Sequence, residues 1–325
     1  MYLMRFDLRA PGATPAERAD LYQGMLDMAA WAEDNGCVSV AISEHHASDD
    51  GYLPSPLMMA AAVAAVTSKV SITVAAAILP FYDPVRLAED LIVLDHVSRG
   101  RAMVILGVGY REVEYELRGI PFGERGKVAD EKLELLLDTL RTAGADTTAP
   151  RITPGAFSQP MPMLAWGGQS KAAARRAGRN GLGFLAQGPG PGLQEIYEET
   201  ARANGHEPGF CYLPAGDAPQ IVFVNDDIDQ GWDEVGTNML ADAVSYAAWN
   251  EAADLTANTV SLSSAKTVDG LRAEGGAHRV VTAAEAGALA AEYGMLSLHP
   301  LCGGLAPDVA WPYLKRAAAA VEAPA

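Results

Sequence analysis

The sequence predicts an α/β fold, a (β/α)8 barrel of the TIM type, on three observations. Short apolar runs alternate with longer amphipathic stretches along the whole chain, eight such units can be counted, and no linker divides them. Alternating strand and helix builds a parallel sheet, and eight units favour a closed barrel over an open doubly wound sheet. One barrel commonly occupies roughly 200 to 250 residues or more, so 1–325 is read as a single domain.

The opening strand is expected over 2–6, followed by a helix over 15–35 that closes against Gly36. The second strand, over 38–43, alternates bulky Val38, Val40 and Ile42 with small Ser39, Ala41 and Ser43, so the bulky set should face the helices. Further strands are expected over 70–79, 102–108, 163–166, 182–186, 221–224 and 295–301. Helices are expected over 56–68, 84–97, 128–142, 170–178, 193–204, 231–253 and 307–321. Several open on Pro near the first helical position, and the one over 170–178 closes on Gly178. Two stretches break the rhythm. Residues 143–160 are small, polar and Pro-rich, and read as a long loop. Residues 254–281, between the seventh and eighth strands, carry Thr256, Asn258, Thr259, Ser261, Ser263, Ser264 and Gly275-Gly276. They read as a mobile lid-like insertion, with a further helix over 283–293 before the last strand.

Composition narrows the function. A net charge of −17 repels phosphate backbones and anionic lipid, which argues against nucleic-acid and membrane-surface partners. Cys37, Cys211 and Cys302 are odd in number and widely spaced, which fits a reducing compartment. No secretory signal opens the chain and no apolar run reaches the roughly eighteen residues of a membrane span, so a cytoplasmic protein is expected.

In a barrel the chemistry sits at the C-terminal ends of the strands. The second strand ends Ser43-Glu44-His45-His46, where alternation would send His45 into the mouth and turn Glu44 and His46 away. Three alanines, Ala75 to Ala77, stand in the third strand, where small side chains permit a bulge or the approach of a flat ligand. Gly107 and Gly109 end the fourth strand beside Tyr110, Arg111 and Glu112, so backbone can approach a ligand and a cation and an acid stand nearby. The fifth strand carries the best physical signal: Trp166-Gly167-Gly168-Gln169-Ser170, then helix. Free N–H groups, a hydroxyl and the positive end of a helix dipole suit a phosphate, although a plain turn with an N-cap serine uses the same residues. Cys302 after the eighth strand has no base near it in sequence. The first strand lacks the HxH of metal-dependent barrel hydrolases, no HExxH occurs, and only six histidines are present, so no metal is expected. No lysine falls inside a strand, which removes Schiff-base chemistry. A phosphate cradle with little acid–base machinery suits chemistry carried by a bound cofactor.

The ordered set of motifs resembles the luciferase-like monooxygenases over nearly the whole chain. It runs Ser43-Glu44-His45-His46, Tyr52-Leu53-Pro54-Ser55-Pro56, Ala77-Ile78-Leu79-Pro80 and Leu94-Asp95-His96-Val97-Ser98-Arg99-Gly100-Arg101. Gly107-Val108-Gly109-Tyr110, Trp166-Gly167-Gly168 and His299-Pro300-Leu301-Cys302-Gly303-Gly304 complete it. The resemblance implies a barrel that binds reduced FMN or the deazaflavin F420 at its mouth, often as a homodimer. It places the cofactor phosphate at Gly167, Gly168, Gln169 and Ser170, and the ring system at Ala75, Ala76, Gly107, Gly109 and Tyr110. It also implies a non-prolyl cis peptide between Ala75 and Ala76. His45, Glu44 and Glu112 are the candidate catalytic residues, Glu112 matching a proton donor of F420-using members. The leading expectation is a reduced-FMN-dependent monooxygenase acting on a small organic substrate, with a separate flavin reductase as partner. An F420-dependent hydride-transfer enzyme is the alternative, and a non-catalytic flavin-binding protein the third.

Overall fold

The computed structural model describes residues 1–253 and 263–322. Backbone proximity separates two compact units, Met1–Pro54 with Ala215–Ala325 (unit one) and Ser55–Pro214 (unit two). Strand and helix alternate through both, and every strand pairing described is parallel, the α/β pattern that the sequence predicts.

Unit one begins with β1 (Tyr2–Phe6), α1 (Pro15–Ala32) and β2 (Cys37–Ile42). In β1 the alternate residues Tyr2, Met4 and Phe6 are fully buried. A capping box starts α1: Thr14 Oγ1 accepts from Glu17 N at 3.3 Å and the Glu17 carboxylate accepts from Thr14 N at 2.8 Å. The expected bulky face of β2 is interrupted. Val40 and Ile42 are buried, but Val38 is 38% exposed. The register explains it: Tyr2 faces Cys37 and Leu3 faces Ser39, so the ladder skips Val38 as a bulge does.

Unit two contains α2 (Pro56–Val66), β3 (Ser71–Ile78), α3 (Pro84–Ser98), β4 (Ala102–Gly107), α4 (Glu112–Glu116), α5 (Arg125–Thr142) and β5 (Met163–Gly167). It continues through α6 (Lys171–Arg179), β6 (Gly183–Leu185), α7 (Leu193–Ala203) and a short β7 (Cys211–Tyr212). Its strands are ordered β3-β4-β5-β6-β7. The expected loop at 143–160 holds no helix or strand, but it is tethered. Buried Asp95 on α3 accepts from Ser158 N at 2.7 Å and from Ser158 Oγ at 2.6 Å. Gly178 does not end its helix as expected. It lies inside α6, where a Cβ would fall 2.5 Å from Tyr197 O and 2.8 Å from Ala201 N of α7. Close backbone approach between two helices, not a stop signal, accounts for that glycine.

Unit one resumes with β8 (Ile221–Val224), α8 (Ile228–Ala252), α9 (Val268–Glu274), β9 (His278–Val281), α10 (Ala283–Tyr293), β10 (Leu296–Leu298) and α11 (Pro307–Glu322). β10 pairs with β1, while β8 pairs with β9. The insertion expected over 254–281 needs correction. Residues 254–262 lie outside the described residues, and the remainder is not an irregular loop. Thr267 caps α9 by accepting from Gly270 N at 3.0 Å, Leu271 is buried, and Gly275 ends the helix at φ +56°. His278, Val280 and Val281 of β9 are buried. A Ser/Thr-rich composition conceals a cap and a four-residue strand. Among the described residues no helix is long and apolar enough to cross a membrane.

Candidate active site

Unit two brings together the residues expected to hold a cofactor. Ala75 and Ala76 are half-buried, joined by a cis peptide, and the β3–β4 ladder skips Ala76, pairing Ala75 with Ile105 and Ala77 with Leu106. A Cβ on Gly107 would meet Ala76 Cβ at 3.4 Å. One on Gly109, at φ +67°, would meet Ile78 Cγ2 at 3.0 Å. The result is a shallow surface of small residues, continued by half-buried Val108, Gly109 and Tyr110. The Tyr115 hydroxyl donates to Val108 O and pins this turn.

The glycine pair at the end of β5 is shaped as a cradle. A Cβ on Gly167 would lie 2.9 Å from Ile105 Cγ2. Gly168, at φ +150°, would place its Cβ 2.8 Å from Ala173 Cβ. Ser170 is the N-cap of α6, its Oγ accepting from Ala173 N at 3.1 Å. A helix leaves its first N–H groups unpaired and its N-terminus positive. The first turn of α6 carries no acid to offset that charge and begins on exposed Lys171. The donor set therefore fits a phosphate. The Gln169 side chain is engaged within the chain itself. Its Oε1 accepts from Gln187 N and Gly188 N, both at 3.0 Å, and Nε2 reaches Pro189 O at 3.4 Å. The side chain ties down the turn after β6.

Glu112 is exposed at the head of α4, and Arg111 Nη1 meets the fully buried Glu114, one helical turn on, at 3.1 Å.

In unit one the end of β2 behaves as alternation predicts. Glu44 and His46 share a face, with His46 Nε2 2.6 Å from Glu44 Oε1, and His45 turns elsewhere. His45 is 8% exposed and sits edge-on to Tyr52 at 4.9 Å and tilted on Trp249 at 4.8 Å. Behind these rings lies a buried ionic network absent from the sequence-level expectations. Leu8 adopts a left-handed φ of +53°, which lets Arg9 fold back. Arg9 N donates to Asp7 Oδ1 at 3.1 Å and Nε to Oδ2 at 3.0 Å. Arg9 Cζ stands 4.8, 4.6 and 4.9 Å from the rings of Tyr52, Tyr246 and Trp249. Asp242, Tyr246 and Trp249 share one face of α8 at helical spacing. Tyr52 Oη is 2.9 Å from Tyr246 Oη, His278 Nε2 is 2.9 Å from Asp242 Oδ2, and His299 Nε2 is 3.4 Å from Asp7 Oδ1.

Burial alone would raise the Asp7 carboxyl, but His299 and Arg9 outweigh it and hold it well below the usual carboxylate range. Burial likewise opposes ionisation of Asp242, and the His278 hydrogen bond with the Arg9 charge brings it down. Burial pushes the Tyr52 and Tyr246 hydroxyls up, so both are neutral donors at ordinary pH. The local signal for this network is Asp7-Leu8-Arg9 at a strand end; apart from Tyr52, its other members stand more than 200 residues away.

Comparison with known proteins places the chain. Among curated proteins it is 30% identical over 141 residues to the uncharacterized protein y4vJ of Sinorhizobium fredii, covering 43% of this chain and 40% of that one. It is 29% identical over 96 residues to the oxygenase component of the flavin-dependent trigonelline monooxygenase of Acinetobacter baylyi, covering 30% and 27%. The chain thus matches less than half the length of these relatives. The fold matches monooxygenase RslO1 from Streptomyces bottropensis (TM-score 0.71, 20% identity, 99% of this chain and 98% of that one). It also matches the oxygenating constituent of the 3,6-diketocamphane monooxygenase of Pseudomonas putida, a complex with FMN (0.69, 18%, 98% and 97%). A third match is an F420-dependent secondary alcohol dehydrogenase with an F420–acetone adduct (0.60, 16%, 95% and 96%). The luciferase-like monooxygenase family matches residues 1–291, and this chain, an α/β protein of TIM-barrel type, belongs to that family.

Proposed function

We propose that this chain is the oxygenating component of a monooxygenase that uses reduced FMN delivered by a separate flavin reductase. The observation that carries this reading is the cradle at Gly167, Gly168 and Ser170. There close packing against Ile105 and Ala173 keeps both positions free of a side chain, and the helix N-terminus carries no acidic residue in its first turn. The cofactor phosphate binds there, and the small surface of Ala75, Ala76, Gly107 and Gly109 receives the flat ring system. Bound reduced flavin supplies the electrons that activate dioxygen. The chain's own residues position the cofactor and move protons. His45, braced by Tyr52 and Trp249, is the acid–base group, with Glu44 acting through His46. The substrate is a small organic molecule, the protein is cytoplasmic, and it works as a homodimer. The oxygenase-component relative supports the small-molecule substrate and the separate reductase, while the cytoplasmic location and the homodimer follow from the sequence reading alone.

F420-dependent hydride transfer is the second reading, favoured by Glu112 standing exposed as a proton donor at the head of α4. Fluorescence-quenching titrations under anaerobic conditions, with FMN and F420 side by side in their reduced forms, decide between them. Reduced FMN is expected to bind at least about tenfold more tightly, a difference of 1.4 kcal/mol. The reverse order assigns the chain to the second reading, and failure of both to bind refutes the cradle itself.

A further inference from the structure

Three metal-binding side chains converge inside unit one at a place that neither the cradle nor His45 uses. Single ligand atoms of Asp242 on α8 and of His299 and Cys302, just past β10, lie within 4.8 Å of one another. All three residues are at most 1% exposed. Asp242 Oδ2 accepts from His278 Nε2 at 2.9 Å, while Oδ1 has no hydrogen-bond partner. His299 Nε2 stands 3.4 Å from Asp7 Oδ1 as an ion-pair contact, and neither of its ring nitrogens has a hydrogen-bond partner. Ligands of bound metals are supported in this way, by a carboxylate behind the imidazole and a donor behind the carboxylate.

The local charge favours a cation. Asp7, Asp50 and Asp242 face Arg5 and Arg9, three carboxylates against two guanidiniums. An anion would meet three carboxylates. A cation gives Asp242 Oδ1 and one ring nitrogen of His299 the partner that each lacks. Arg9 does not block the position: its Nε is 3.9 Å from Asp242 Oδ1 and is already held 3.0 Å from Asp7.

We propose that a carboxylate oxygen of Asp242, a ring nitrogen of His299 and Cys302 Sγ bind a divalent ion of the zinc class, with water in the fourth tetrahedral position. A mixed oxygen, nitrogen and sulfur set suits that borderline ion. Zinc–ligand bonds of about 2.0–2.3 Å set ligand atoms roughly 3.3–3.8 Å apart, so a set of one ligand atom from each residue, within 4.8 Å of one another, draws in by about 1 Å. The buried thiol is protonated without metal and releases its proton to solvent as the sulfur–metal bond forms. The ion ties α8 to the segment after β10, and it is independent of the flavin reading.

The test uses the full chain expressed in minimal medium with cobalt(II) in place of zinc, so that loading accompanies folding. About one cobalt per chain, with a thiolate-to-cobalt charge-transfer band in the near ultraviolet, is expected. Cys302→Ser should lose the band, and a Cys37→Ser/Cys211→Ser double variant, which leaves the site untouched, should keep it. Wild-type protein without bound cobalt or without the band overturns the proposal. So does a band that disappears in the double variant.

Discussion

Replacing Gly168 by valine puts a branched side chain where even a Cβ would lie 2.8 Å from Ala173 Cβ, at a φ of +150°. Ala173 is buried in the first turn of α6 and has no long side chain to swing aside, so the backbone at 168 must shift. The N–H groups that follow it then lose their aim at a phosphate. Hydrogen bonds to charged groups contribute about 1.5–3 kcal/mol each, so losing one weakens cofactor binding roughly 10- to 150-fold. Overpacking of this kind costs about 1–3 kcal/mol of stability, which leaves a folded protein to measure. The assay is flavin fluorescence quenching, run beside a thermal melt, with Ala172→Val on the exposed side of the same turn as a control. Folded Gly168→Val with a dissociation constant within twofold of wild type would refute the cradle.

Three further outcomes are expected. His45→Gln should lower turnover by about 10²-fold, as loss of an acid–base group does, with binding of reduced FMN retained; unchanged turnover would reduce His45 to a packing role. The depressed carboxyls of Asp7 and Asp242 stabilise the fold fully above the ordinary carboxylate range. That stability is lost as pH falls through their lower folded-state values. Urea midpoints should therefore drop on acidification below about pH 4, and Asp7→Asn should flatten that slope while lowering stability at neutral pH. Gly178→Ala should cost about 1–3 kcal/mol in urea melts, because its methyl meets the α7 backbone rather than a movable side chain.

The parts of the fold legible in the sequence are those specified locally. Apolar runs, proline at helix starts and the Ser170 cap each act within a few residues, and the structure places strands and helices close to where they predict. Features set by distant partners were not legible. Val38 turns outward because of a ladder shift against β1, and Gly178 serves α7 rather than its own helix end. The short strand β9 shows itself only through its partner β8, since four residues after a Gly-rich turn carry little signal alone. The candidate site divides in the same way. Gly167, Gly168 and Ser170 could be named because a cradle is a local turn. The Arg9 network could not, since Asp7 and Arg9 find Asp242, His278 and His299 only after the chain has folded.

The side chain of Gln169 gives the cradle a mechanical connection. One amide oxygen holds the N–H groups of both Gln187 and Gly188, so the turn after β6 is ordered only while the residue between Gly168 and Ser170 keeps its place. Any anion that fixes the cradle narrows the positions open to Gln169, and with them those of residues 187–189. Thermodynamic linkage makes the effect mutual: a molecule that settles on the 187–189 turn must tighten the grip on the anion by the same factor. Two loops separated by a helix and a strand in sequence are thus joined through a single amide.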